Sequence, residues 1–274
     1  MNSSVVQANI DLHTVLADSY DESEPHFRSE NKTKVRSTIE QLQKRCGSNR
    51  LLDLGCGTGF IIGLSQDIFS EIHGVDVTQA MLDRVDQSRG NVTLHLTAAE
   101  SVPFSDNYFD LVTAYSFLHH AEDYTSILRE AYRVLKPGGL CYTAQDPNRL
   151  FWTAVRQLNA GVQETFQPIV ARAYDAVLNT ENTLEQRFGT PESLVKAAEP
   201  IRAILGGLDP AEVKQDALAI GFRICEIRLE WFLGEAEVLH GQSREAAADI
   251  DAYLRSAAPL TDHLFKYVQV TLGK

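Results

Sequence analysis

The chain has 274 residues, 44% of them hydrophobic and 23% charged, and a formal net charge of −12. These proportions suit a globular protein with a sizeable buried core, and no apolar run approaches the ~20 residues of a membrane span. Such an acidic chain repels phosphate backbones, so neither nucleic acid nor a membrane is an expected partner.

The N-terminus, MNSSVVQANIDLHT, lacks the basic cluster and apolar run of a secretory signal, and the expected location is the cytoplasm. Cys46, Cys56, Cys141 and Cys225 form no CxxC pair. Reduced thiols and no metal are expected.

Residues 1–45 read as an N-terminal helical lid. Val5, Val6, Ile10, Leu12, Val15 and Leu16 line an irregular helical face, Asp21 to Pro25 is a break, and a helix over 30–45 carries Val35, Ile39 and Leu42 at helical spacing. Its basic residues, Lys32, Lys34, Arg36, Lys44 and Arg45, interleave with Glu30 and Glu40 as a solvated face does.

From residue 46 to 147 short apolar runs alternate with helical stretches. Strands are expected over 50–54, 71–75, 92–97, 109–116 and 140–144, with helices over 60–69, 80–86 and 126–135. Lys136-Pro137-Gly138-Gly139 reads as a helix stop. The alternation predicts an α/β fold with a doubly wound, mostly parallel seven-stranded sheet. Residues 148–208 contain no convincing strand and read as a helical cap inserted after strand five, with helices over 151–158 and 169–178. In the C-terminal part, 209–274, Asp209-Pro210 starts a helix that ends at Gly221. Strands over 222–232 and 264–272 complete the sheet, with a helical insertion near 240–260 that includes a helix over 244–256.

The chemistry concentrates in LLDLGCGTGF, Leu51 to Phe60. Gly55, Gly57 and Gly59 stand between a strand and a helix, where glycine permits positive φ and close approach of backbone to a ligand. Ligands bind outside the carboxyl ends of such strands. The spacing is G-x-G-x-G, not the G-x-G-x-x-G of dinucleotide sites. Asp53, two residues before the first glycine, suits a cationic ligand group better than a pyrophosphate. Cys56 reads as a small residue tolerated in the turn, a reactive thiol being the alternative. Asp76 lies 17 residues beyond Gly59, near the ~20 expected of a ribose-binding acid. Its alternative role is a helix cap, which Thr78 could also serve.

This pattern resembles the class I S-adenosylmethionine (SAM)-dependent methyltransferase family, in its small-molecule branch with a UbiE-like core. Besides the D-x-G-x-G-x-G loop, the resemblance rests on His73-Gly74-Val75-Asp76, on Thr97 to Phe104 followed by Phe109-Asp110, and on Arg133-Val134-Leu135-Lys136-Pro137-Gly138-Gly139. It covers about residues 50–145. It implies SAM as cofactor and S-adenosylhomocysteine as product. The implied cofactor residues are Tyr20, Asp53, Gly55, Cys56, Gly57, Gly59, Asp76, Val77, Met81, Ala99, Glu100, Tyr115 and Ser116. Met81 would pack near adenine or simply in the core. One departure is Ala98, which stands where the family often has an acid for the adenine amino group; recognition of adenine by backbone and packing follows.

The resemblance places Tyr115-Ser116-Phe117-Leu118-His119-His120 at the methyl-transfer pocket. An imidazole is a fit general base near neutral pH, and His120 is favoured over His119; His13 and His26 are weaker alternatives, and a structural histidine bonded to backbone is the competing role. Tyr20 is expected either to close over the methionyl group or to be an ordinary core or surface tyrosine. Phe151, Trp152, Phe166, Tyr174, Trp231 and Phe232 read as core, with an apolar acceptor pocket as the alternative. The implied activity is methyl transfer to a small-molecule acceptor, such as a secondary metabolite or quinone-like compound. A SAM-binding protein without transfer activity and a macromolecule methyltransferase are the competing readings. A homodimer is compatible with the sequence, which does not fix the assembly.

Overall fold

A computed structural model describes residues 4–158, 172–173, 189–241 and 243–274. Seven strands form one sheet in the order β3-β2-β1-β4-β5-β7-β6. They are β1 Arg50–Leu54, β2 Glu71–Asp76, β3 Val92–Leu96, β4 Phe109–Tyr115, β5 Leu135–Pro147, β6 Ile224–Phe232 and β7 Phe265–Gly273. The first five pair in parallel, and β7 runs antiparallel between β5 and β6. All seven residues of β4 are buried, as expected of a central parallel strand covered on both faces. The strand order reverses between β1 and β4, and the crevice at such a reversal is the usual ligand position.

Two helical layers cover the sheet. On one face Leu52, Val112, Phe109 and Val270 pack with Ile127, Leu128 and Val134 of α6, Tyr124–Val134. On the other, Leu51, Ile72, Leu111 and Tyr142 pack with Val35, Ile39 and Leu42 of α3, Ser29–Cys46, and Ile61 and Ile62 of α4, Phe60–Ser65. The basic residues of α3 face acidic or aromatic neighbours: Arg36 binds Asp67 and Glu40, Lys34 binds Glu230, Arg45 binds Glu226, and Lys32 lies over Phe27.

The lid opens with α1, Ser4–Leu16, and a short helix α2, Tyr20–Ser23. The face that α1 buries is Ala8, Leu12 and Leu16, against Val195 and Ala198 of the helix Glu192–Ala198. Val15, expected on that face, is 52% exposed. The partner surface comes from far along the chain and selects a narrower stripe than hydrophobicity alone suggests. Where the cap is described it includes α7, Arg149–Leu158. The helix expected over 169–178 and residues Phe166 and Tyr174 lie outside the described residues.

Three boundaries move. The helix after the glycine loop ends at Ser65 instead of Phe69, because Phe69 turns into the core at 2% exposure. The next is a single turn, α5 Gln79–Leu82, after which Val85 folds back onto Gly59. The helix before residues 136–139 ends at Val134, as expected of a stop there, and the start of the next strand moves to take those residues into β5: Leu135 pairs with Phe109, the register shifts, and Leu140 pairs with Leu111. Gly138, at φ +81°, makes the shift possible. The helices Pro210–Ile220 and Arg244–Ser256 form as expected, with Asp209 accepting the N–H groups of Ala211 and Glu212. Among the described residues no helix is long and apolar enough to cross a membrane.

Candidate functional site

The glycine loop leaves the carboxyl end of β1 with Gly55 at φ +65° and Gly57 at φ +53°. A Cβ on Gly55 would lie 2.0 Å from the Phe117 ring, whereas one on Gly57 would meet nothing within 4 Å. Gly55 is therefore required by packing and conformation together, and Gly57 by conformation alone. The Cys56 N–H donates to the Val75 carbonyl at 2.9 Å and latches the loop to β2. Burial pushes the Cys56 thiol well up, which leaves it a packing residue and not a nucleophile.

Two acids flank this loop. Asp76, at the end of β2, accepts the Gly57 N–H at 2.9 Å through Oδ2 and the Thr78 N–H at 2.8 Å through Oδ1. Each oxygen keeps a second lone pair for a ligand hydroxyl. Thr78 is the N-cap residue of α5 but its hydroxyl caps nothing, and Asp76 bonds only the N–H of Thr78, before the helix begins. Asp53 is 2% exposed and accepts the Thr113 hydroxyl at 2.7 Å. Burial lifts its pKa to about 7, with Asp76 adding to the rise and the Thr113 bond opposing it. A buried carboxylate held this high is short of positive charge.

The lid closes the cleft with an aromatic wall. His26 packs edge-on against Phe60 with centroids 5.0 Å apart and against Tyr115 at 5.7 Å, and Phe27 meets Phe60 at 5.1 Å. Tyr20 stands against both His26 and Phe27. Burial holds His26 down at about 3, with Lys32 contributing, so its ring is neutral. The Tyr115 hydroxyl accepts from Asn31 Nδ2 at 2.9 Å. The Thr58 hydroxyl donates to Asp21, tying α2 to the glycine loop.

At the end of β4 the chain turns sharply: Ser116 takes φ +53° and Leu118–His120 form a single helical turn. His120 Nδ1 lies 3.1 Å from the Ala198 carbonyl. A carbonyl only accepts, so Nδ1 carries the proton and Nε2 holds the lone pair. Burial and the neighbouring His119 and His13 push His120 well down, which keeps it neutral. His119 is held differently. Asp146 Oδ1 receives both its backbone N–H, at 3.0 Å, and its Nδ1, at 2.9 Å. Asn9 of α1 brings its amide within 3.2 Å of the His120 carbonyl, 3.0 Å of that of Ala198 and 3.0 Å of that of Val5.

These elements line a cleft of about 890 Å³, a volume that includes open solvent. It brings together Tyr20, Asp53, Gly55, Cys56, Gly57, Asp76, Val77, Met81, Ala99, Glu100, Tyr115, Ser116 and His120 on one surface. Two expected residues are not on that surface. Gly59, at φ +91°, caps α4 against Val85, and His119 is turned to Asp146. His13 and His26 do line it, as do Asn9, Phe27, Phe117 and Thr97. Phe151 and Trp152 pack instead with Val155 and Leu233, and Phe232 is in the main core. Asn9, Phe27, Asp146 and Glu199 are the neighbours that sequence reasoning did not single out. Only Asp146 carried a signal, its place at the carboxyl end of a parallel strand.

Residues 52–143 match the family model described as a methyltransferase domain. A demethylmenaquinone methyltransferase from Listeria welshimeri is 37% identical over 130 residues, 44% of this chain and 55% of that protein. One from Staphylococcus saprophyticus is 32% identical over 155 residues, 53% of this chain and 66% of the relative. The chain thus spans about half the length of the first of these relatives and two thirds of the second. Among solved structures, a SAM-dependent methyltransferase from Archaeoglobus fulgidus superimposes with a TM-score of 0.51 at 17% identity, covering 89% of this chain and 94% of that one. The [4+2]-cyclase SpnF superimposes with a TM-score of 0.54 at 17% identity, covering 98% and 96%. Over residues 52–143 the chain carries a methyltransferase domain, on the fold that SAM-dependent methyltransferases share.

Proposed function

We propose that the chain is an enzyme that transfers the methyl group of SAM to a small-molecule acceptor, quinone-like or a related secondary metabolite, in the cytoplasm. The observation that carries this reading is the pair Asp53 and Asp76 on either side of the glycine loop in one aromatic-walled cleft. In this reading Asp53 takes the methionyl ammonium and Asp76 the ribose hydroxyls. Gly55, Cys56, Gly57 and Val77 present backbone to the cofactor. Met81, Ala99 and Glu100 border the adenine, which is read by backbone and packing because Ala98 offers no acid. Tyr20, Tyr115 and Ser116 close around the methionyl and sulfonium groups.

The acceptor X–H approaches from the His120 side. Its proton passes to His120 Nε2, the X–C bond forms, the C–S bond breaks, and the electron pair stays on sulfur to give S-adenosylhomocysteine. Alignment supplies most of the acceleration, since the leaving thioether is good. The demethylmenaquinone methyltransferases support a reduced quinone-like acceptor. The chain acts alone or as a homodimer, and its acidity argues against a nucleic-acid substrate.

A second reading, SAM binding without transfer, draws on Ala98 and on the same fold in a protein named as a [4+2]-cyclase. The test is to incubate the purified chain with SAM and a panel of quinols, phenols and amines, and to measure S-adenosylhomocysteine by mass spectrometry. Acceptor-dependent product is expected. Tight binding of S-adenosylhomocysteine with no product across the panel would replace the first reading with the second.

A further inference from the structure

We propose that His119, His120 and Glu199 form a binding site for one divalent transition-metal ion, beside the cofactor cleft. One ligand atom from each of the three residues lies within 4.8 Å of the others. Tetrahedral zinc with bonds of ~2.0–2.2 Å needs its ligand atoms about 3.3–3.5 Å apart, so side-chain rotations of about an ångström close the site. Two imidazoles and a carboxylate are the donor set of His–His–Glu zinc sites and of open iron(II) sites.

Three further observations point to a cation. Both imidazoles have Nδ1 engaged, His119 with the Asp146 carboxylate and His120 with the Ala198 carbonyl. Among the described residues neither Nε2 makes a hydrogen bond, which leaves both lone pairs for the same purpose. A second ring nitrogen held by a carboxylate or a carbonyl is how proteins orient metal-binding histidines. Glu199 gives Oε2 to Arg202, which leaves Oε1 for a metal. Asp146 is fully buried, and its Oδ2 has no hydrogen-bond partner. Asp146 and Glu199 therefore place two carboxylates beside the two imidazole rings, with Arg202 beside Glu199.

The three ligands come from two segments that the fold brings together. His119 and His120 lie in the helical turn that follows β4, and Glu199 follows the helix Glu192–Ala198 that packs on α1. Three protein ligands leave open positions that face the acceptor side of the cleft, where His120 is exposed to it. There the ion would hold and acidify an acceptor hydroxyl or thiol. That role rests on the methyl transfer proposed above; the binding does not. A cation on His120 Nε2 also occupies the lone pair assigned above to the proton, so the loaded site hands that proton to solvent.

The test is titration of chelator-treated protein with Zn²⁺ by calorimetry and with Co²⁺ by visible absorption. Saturation at one equivalent is expected. His119→Ala and Glu199→Gln should each weaken uptake at least about tenfold, and Asp146→Asn about 10- to 100-fold. Affinity for S-adenosylhomocysteine should stay within about twofold in all three, since its residues sit on the glycine loop. That affinity also reports folding, and the isosteric Glu199→Gln carries the test if His119→Ala does not fold. No saturable uptake, or uptake that Glu199→Gln leaves unchanged, overturns the site. Product formation in the acceptor panel is scored separately, so methyl transfer can stand when metal binding fails.

Discussion

Asp53→Asn tests the electrostatic logic of the cleft in two directions at once. In the empty protein Asp53 titrates at about 7, well above the ordinary carboxylate value of 3.8, chiefly because burial disfavours its charge. A methionyl ammonium beside it restores the charged form, so binding lowers this pKa. Affinity for S-adenosylhomocysteine then rises with pH up to about 7 and levels off above it. With a free-protein pKa near 7, the loss from pH 8 to pH 6 is about tenfold. The sign for folding is the reverse. A carboxyl whose folded pKa is raised has its stabilising effect intact below the unfolded value near 4 and loses it as pH rises through 7. The loss at pH 8 is on the order of 4 kcal/mol. Asp53→Asn keeps the Thr113 bond and removes the charge. It should raise the melting temperature of the empty protein at pH 8 by about 5–10 °C, change it little at pH 4, and weaken S-adenosylhomocysteine at least about tenfold at pH 8. Calorimetric titration at pH 6, 7 and 8 and thermal melts at pH 4 and 8 measure both. A flat affinity profile in the wild type, or a variant that binds equally well, would refute the placement of Asp53 at the ammonium.

Asp76→Ala removes the acceptor of the Gly57 and Thr78 N–H groups as well as the proposed ribose contact. Calorimetry should show a loss of affinity for S-adenosylhomocysteine of at least about tenfold, from ~1–3 kcal/mol of unmade hydrogen bonds. Gly55→Ala forces a Cβ into the Phe117 ring at positive φ. A cost of ~1–3 kcal/mol should appear as a lower denaturation midpoint, together with weaker cofactor binding because Phe117 lines the cleft.

Much of the glycine-loop side of the cleft was legible because local sequence determines it. LLDLGCGTGF contains its strand, its turn and its helix start within ten residues, and Asp76 follows at the end of the next strand. The helix over Arg244–Ser256 and the Asp209 cap were equally readable, since capping is local. What was not readable depends on partners distant in sequence. The buried stripe of α1 is set by Val195 and Ala198, and Glu199 meets His119 and His120 only because that helix packs on the lid. The Lys136-Pro137-Gly138-Gly139 segment shows a third limit. Its residue types end the helix at Val134, as read, but its membership of a bulged strand comes from pairing with β4.

Asn9 joins three parts of the molecule through one side-chain amide, at the carbonyls of Val5, His120 and Ala198. An α1 that lifts to admit the cofactor must release the histidine turn and the helix end in the same movement. On the methyl transfer proposed above, cofactor exchange and an intact acceptor chamber would then be mutually exclusive states. The kinetic consequence would be compulsory order: cofactor first, acceptor second, and the demethylated cofactor last to leave. Initial-rate patterns would then show S-adenosylhomocysteine competing with SAM alone.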